Sequence, residues 1–218
     1  MRTELVKDLI DHRNPDRAIQ MEKYMRNQFH FLGIQSPMRR QISIHYLNEK
    51  AREPEVDWSL VEYLWNQPYR ECQYIACDYL LMIRMKLVPD DIPALKQLAL
   101  KKSWWDTIDV LDKVIGGVCL LYPALNTVMI KWSTDRNIWL RRIAIDHQRH
   151  RKEQTDTELL ETILLNNFGT TEFFITKAIG WSLRDYSKTD PMWVRQFIHT
   201  HQKDMPPLSI REGSKYLS

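Results

Sequence analysis

One spacing constrains this chain more than any other property. Capped, apolar-striped segments begin at about Gln35, Tyr69, Ser103, Asn137, Thr171 and Met205, each 34 residues after the last. A repeat of that length holds one helix pair, which cannot bury its apolar face alone and must stack on its neighbours. Apolar residues recur with helical period over 3–12, 15–29, 37–51, 57–67, 69–86, 90–101, 103–121, 123–133, 137–150, 155–166, 171–186, 190–202 and 206–217. Pro15, Pro37, Pro123, Pro191 and Pro207 stand at or near first-turn positions, where a missing N–H costs little. Ser103 and Asp106 have the spacing of a capping box with a shorter acid. Thr155 and Thr171 precede acidic first turns at Asp156, Glu158 and Glu172, which suits the helix dipole. No stretch alternates polar and apolar residues cleanly, and the chain has only 6 Gly and no Asn-Gly or Asp-Gly hairpin turn.

The expected architecture is all-α: a curved solenoid of HEAT-like helical repeats, whose concave face is lined by the helix that opens each repeat. Tetratricopeptide repeats share the period, but their Trp-Leu-Gly-Tyr pattern is absent. No Ser/Gly/Pro-rich linker interrupts the chain, so residues 1–218 are expected to form a single domain. With 44% hydrophobic residues there is enough apolar material for a continuous core, which excludes a disordered chain. The N-terminus lacks a signal-peptide run, and no segment reaches the ~20 apolar residues of a membrane span. Cys72, Cys77 and Cys119 have neither metal-ligand spacing nor an even count, so a reducing cytoplasm is expected.

A net charge of +3 does not by itself identify a nucleic-acid binder, so the placement of individual side chains carries the argument. In Lys101–Asp109 two tryptophans are adjacent, and neighbours on a helix point ~100° apart. One can join the core while the other faces elsewhere. Trp105 and Asp109, at i and i+4, share a face. An aromatic plane beside a carboxylate suits a planar cation, and the same spacing suits a half-buried aromatic beside a solvated acid. Arg141 and Arg142 lie mid-segment in 137–150, too early to serve the helix C-terminus as Arg149, Arg151 and Lys152 could. Arg39-Arg40 occupies the matching phase three repeats earlier, and a basic residue recurring in register can track a phosphate backbone. Trp181 and Arg184 share a face at i and i+3, and Gly180, costly inside a helix, signals close packing. A packing role suits Trp181 equally well. His147/His150 and His199/His201 lack the Glu or Cys that would complete a metal site. A Gly-rich phosphate loop and a Gly-x-Ser-x-Gly elbow are both missing.

The stretches Ser103–Asp109, Trp139–Arg142 and Lys177–Arg184 resemble the signature segments of the AlkD-like DNA alkylation repair glycosylases. So do Lys23–Phe29, Phe31–Ile34 and Pro207–Glu212, in order along nearly the whole chain. The resemblance implies a HEAT-like fold that releases positively charged N3- and N7-alkylpurines from double-stranded DNA and leaves an abasic site. It implies that the base stays stacked rather than being flipped out. No metal or organic cofactor is expected, and a monomer suits a grip that wraps around DNA, although the sequence leaves the oligomeric state open. Carried over residue by residue, it places the catalytic aspartate on Asp109, the lesion-site tryptophans on Trp105 and Trp181, and the DNA-contacting arginine on Arg142. Arg39, Arg40 and Tyr24 match DNA-contacting positions near the N-terminus, and Arg141 and Arg184 are further candidates for the DNA face. One departure is Asp146-His147, where apolar or aromatic residues are expected; an acid facing DNA there would weaken binding locally or tune a different substrate range. Two other functions remain compatible with the residues: a non-catalytic HEAT-like DNA binder, in which Asp109 is passive, and a protein–protein scaffold.

Overall fold

The computed structural model describes residues 2–217, which are helical as the repeat spacing requires; a single isolated bridge, His30 to Tyr69, is the only β-type pairing among them. The chain forms two compact units, divided between Leu87 and Val88.

The first unit contains α1 (Arg2–Asp11), α2 (Pro15–Tyr24), α3 (Ser36–Ala51), α4 (Trp58–Asn66) and α5 (Arg70–Met82). Helix α5 packs on α3 and α4, and α3 packs on α1. Leu5, Leu9, Leu47, Leu64, Trp65 and Ile75 supply the buried apolar surface. Helix α2 stops at Tyr24 rather than running to residue 29, because Arg26 and Asn27 both take a left-handed φ of 56°. The loop that follows is clamped by Glu71, a buried carboxylate on α5 that accepts from the backbone N–H of Leu32, Gly33 and Ile34 at 2.9–3.1 Å. Gly33 has φ +82°, and a Cβ there would overlap the carbonyl oxygen of Asn14, so only glycine fits.

The second unit contains α6 (Ile92–Leu100), α7 (Trp105–Leu121), α8 (Asn126–Ser133), α9 (Ile138–Asp146), α10 (Thr157–Leu165), α11 (Phe173–Tyr186), α12 (Pro191–His201) and α13 (Pro207–Gly213). Helices α7, α9, α11 and α13 pack in succession as one row. Helix α6 flanks α7 and α9, α8 and α10 flank α9, and α12 flanks α11 and α13. Side-chain caps set the starts: Asn137, Asp156, Glu172 and Asp190 each accept from a backbone N–H in the first turn that follows. Gln35, Tyr69 and Asn137 are themselves N-caps, and the other repeats start one residue later, at caps Trp104, Glu172 and Pro206. Hydrogen bonds join equivalent places in successive repeats: Asn167 Nδ2 donates to Ser133 O and Ser209 Oγ to Thr176 O, separations of 34 and 33 residues.

Two further local expectations fail. Ser103 does not cap α7 with Asp106; its hydroxyl donates to Ala99 O, and Trp104 takes the cap position. Helix α9 ends at Asp146 rather than at residue 150, so Arg149, Arg151 and Lys152 lie beyond it, among turns where His150 and Lys152 have φ of 69° and 54°. Those turns return against α7 at Gly116, whose carbonyl accepts from Arg151 Nη2 at 2.8 Å. A Cβ on Gly116 would overlap the carbonyl oxygen of His147, which is backbone and cannot swing aside. Gly116→Ala is therefore expected to destabilise the protein by about 1–3 kcal/mol, as overpacking does, and a denaturant melt beside the wild type measures it.

Candidate active site

Asp109 lies on α7, one turn after Trp105, and Arg142 lies on α9 one repeat later. Arg142 Nε donates to Asp109 Oδ1 at 2.8 Å and Nη2 to Oδ2 at 2.9 Å, while Nη1 donates to Phe174 O at 2.7 Å. The Arg142 side chain is 2% exposed and that of Asp109 19%, so the pair is a forked, partly desolvated ion pair whose acid side keeps some exposure. Burial opposes the Arg142 charge, but Asp146, Asp109 and Asp112 outweigh it and keep the group protonated.

Arg142 also reaches Trp181 on α11, its guanidinium carbon 5.5 Å from the ring centroid. Arg149, Lys177 and Arg184 stand around the same ring at 5.3, 5.8 and 5.6 Å. Glu212 on α13 organises two of these cations, accepting from Lys177 Nζ at 2.8 Å and Arg184 Nη1 at 3.1 Å. Gly180 explains how it reaches them: a Cβ there would sit 2.5 Å from the Glu212 Cβ. The lysine bond, followed by the other nearby cations, holds the Glu212 carboxyl below the usual glutamate range.

Of the adjacent tryptophans, Trp104 enters an aromatic cluster with Trp139 and Phe174, at centroid distances of 5.7 and 5.3 Å. Trp105 is left half-buried on the face of Asp109. The cluster fixes Phe174, whose carbonyl holds Arg142, so packing and ion pairing reinforce each other.

Deeper lie Asp112 and Asp146, both buried, which join Asp109 so that oxygens of the three acids fall within 4.8 Å of one another. Arg149 Nη1 approaches Asp112 at 3.8 Å and Asp146 at 3.9 Å. Asp146 and His147, the departure noted in the sequence, both point inward and are buried, so the acid presents nothing at the surface. His147 Nδ1 lies 2.7 Å from Ala144 O, and burial pushes the imidazole down to about 3.

Asp109, Arg142, Trp181 and Arg184 thus share one neighbourhood, with Trp105 on the Asp109 face. Arg141 does not join them: its Nε donates to Asn167 Oδ1 at 2.8 Å, toward the flanking helices. In the first unit, Arg39 is buried against Asp78 at 3.0 Å and lies 4.9 Å over the Tyr74 ring, while Arg40 and Tyr24 are exposed. Asp112, Arg149, Lys177 and Glu212 escaped the sequence analysis as site residues. A signal existed for the acids, since Asp112 and Asp146 are one 34-residue repeat apart and lie one helical turn beyond Asp109 and Arg142.

Stacked helix pairs carrying a carboxylate gripped by arginine, beside a tryptophan ringed by cations, define a helical-repeat protein with a site suited to an anionic polymer and a cationic centre. The chain belongs to the DNA alkylation repair enzyme family, whose model matches residues 5–217. Among solved structures it is similar to a predicted DNA alkylation repair enzyme from Enterococcus faecalis, at 36% identity and TM-score 0.87 over 94% of this chain and 97% of that one. It shares its fold with smu.31 from Streptococcus mutans UA159, at 15% identity and TM-score 0.62 over 84% of this chain and 97% of that one. No curated protein matches. Among the described residues, no helix is long and apolar enough to cross a membrane.

Proposed function

We infer that this repair enzyme is a monofunctional DNA glycosylase that hydrolyses the N-glycosidic bond of cationic N3- and N7-alkylated purines in duplex DNA. The observation that carries this reading is Asp109: a carboxylate on a partly exposed side chain, held at both oxygens by Arg142, which also reaches Trp181. Loss of an alkylated purine builds positive charge on the deoxyribose, as sugar hydrolysis does. A fixed carboxylate stabilises that charge and can hold the attacking water. One acid is enough, because a cationic base leaves without being protonated. Trp105 and Trp181 present π faces to the lesion-bearing sugar.

Arg142 serves here chiefly to fix Asp109, since its side chain is nearly buried. The phosphate-facing role expected of it passes to Lys177 and Arg184, which are 24% and 25% exposed beside the same ring. Arg40 and Tyr24 are proposed as backbone contacts of the first unit. The base stays stacked in the duplex, the protein acts as a monomer without cofactor, and a reducing cytoplasm suits its three buried free cysteines.

Methylated duplex DNA tests the activity: free 7-methylguanine or 3-methyladenine and an alkali-labile abasic site are the expected products. Tight, salt-sensitive binding without released base would instead make the chain a DNA binder, and salt-insensitive or absent binding would make it a scaffold. Lys177→Ala and Arg184→Ala are each expected to weaken DNA binding similarly across sequences and to reduce the slope of log affinity against log salt by about 1. A salt titration by fluorescence anisotropy reads that slope directly.

A further inference from the structure

Beneath Asp109 lie two carboxylates that the proposed reaction does not touch. Asp112 follows Asp109 by one turn on α7, Asp146 follows Arg142 by one turn on α9, and each is 1% exposed. All four of their oxygens are buried without a hydrogen-bond donor. The nearest cations stand only at ion-pair range: Arg149 at 3.8 Å from Asp112 and 3.9 Å from Asp146, and Arg142 at 4.0 Å from Asp146. Ionising both buried acids would leave two carboxylate charges without a single hydrogen-bond donor to stabilise them. A proton is the smallest group that removes one of these charges.

We propose that Asp112 and Asp146 are positioning residues that hold one proton between them and, by competing with Asp109 for Arg142, set how much negative charge Asp109 presents. The consequence for catalysis rests on the glycosylase function above; the acid pair itself does not. Burial, then Asp146 and Asp109, push the Asp112 carboxyl well above the usual range against the pull of Arg149 and Lys113. Burial also lifts Asp146, to about 6, although Arg142 and Arg149 oppose it. Below that pH both acids carry a proton, and above it they keep one between them. Ionising the pair gives Arg142 a second carboxylate to neutralise, so less of its charge falls on Asp109.

The other charges facing the pair are identifiable element by element. Helix α7 brings Asp109 and Lys113, and α9 brings Arg142. The turns after α9 bring Arg149, and α11 brings Asp185, which is itself paired with His150 at 3.2 Å. Lys177 and Arg184 of the same helix stand around the Trp181 ring, where Glu212 of α13 binds both. His147 stays neutral in this range, since burial holds its imidazole near 3.

Carbon-13 NMR of aspartate carboxyls tests the coupling without using activity. The Asp109 resonance, identified by its loss in Asp109→Asn, is expected to show a step centred near pH 6 in the wild type. That step should be absent from the folded Asp112→Asn/Asp146→Asn double variant, and Asp146→Asn alone should move it. No step in the wild type, or one that survives unchanged in these variants, overturns the proposal. Single-turnover base release should rise at least about tenfold through the same midpoint in the wild type and stay flat in the double variant. Release that ignores the step overturns the charge-setting role. A wild type that shows the step but releases no base refutes the glycosylase function and leaves the acid pair standing.

Discussion

Arg142→Met is expected to destabilise the protein by about 3–5 kcal/mol and to reduce base excision by about 10²-fold or more. Removing one partner of a buried ion pair is costly because the other charge stays behind. Here two would stay: Asp109, which loses both guanidinium hydrogen bonds, and Asp146, which loses a cation 4.0 Å away. The Phe174 carbonyl also loses its donor, and Phe174 belongs to the aromatic cluster at the start of α7. The effect on excision follows from position rather than chemistry, since Arg142 holds the carboxylate and does not itself face the sugar. Urea denaturation at neutral pH measures the first effect and single-turnover kinetics on folded protein the second. Arg149→Met makes a useful contrast. Its ion pairs are longer, 3.8–3.9 Å, and its side chain is 16% exposed, so its loss should cost less.

Asp146→Asn should act in the opposite direction, raising stability at pH 7 by about 1–3 kcal/mol. The Asp146 carboxyl is lifted from 3.8 in the unfolded chain to about 6 in the fold. Below 3.8 the acid is protonated in both states and costs nothing. As pH rises toward 6 the unfolded chain ionises first, so wild-type stability is lost across that window. The stabilising effect of Asn should therefore be largest above pH 6 and vanish near pH 4. His147 has the reverse sign: its imidazole falls from 6.5 to about 3, so stability is lost as pH drops through that range. That loss is common to wild type and variant and cancels in their difference. Paired melts from pH 4 to 8 test the account, and an equal effect at both ends would contradict it. A buried acid kept at a cost in stability is the pattern expected of a group retained for function.

The helical repeat was legible because its cause is local and periodic. Gln35, Tyr69 and Asn137 fall on the N-cap positions of α3, α5 and α9, and Asn137 also caps its helix with its side chain. The misplaced ends have equally local causes that a stripe does not reveal. Arg26 and Asn27 turn left-handed after α2, and Ser103 bonds back to Ala99 instead of forward. In the site, the Trp105–Asp109 face followed from helical spacing, and the division of labour between Trp104 and Trp105 followed from their adjacency. What spacing could not show was direction across the row. Arg141 and Arg142 look alike in sequence, yet one bonds Asn167 and the other Asp109. The inward turn of Asp146 was hidden for a related reason: it depends on Asp112 and Arg149, which only the packed helices bring to it.

The most direct test of the central claim is single-turnover release of 7-methylguanine from methylated duplex DNA by the wild type and Asp109→Asn, with DNA affinity measured on the same preparations. The account predicts release by the wild type, a loss of about 10²–10³-fold in the variant, and similar affinity for both. Equal release by the two proteins would show that Asp109 is not the catalytic carboxylate.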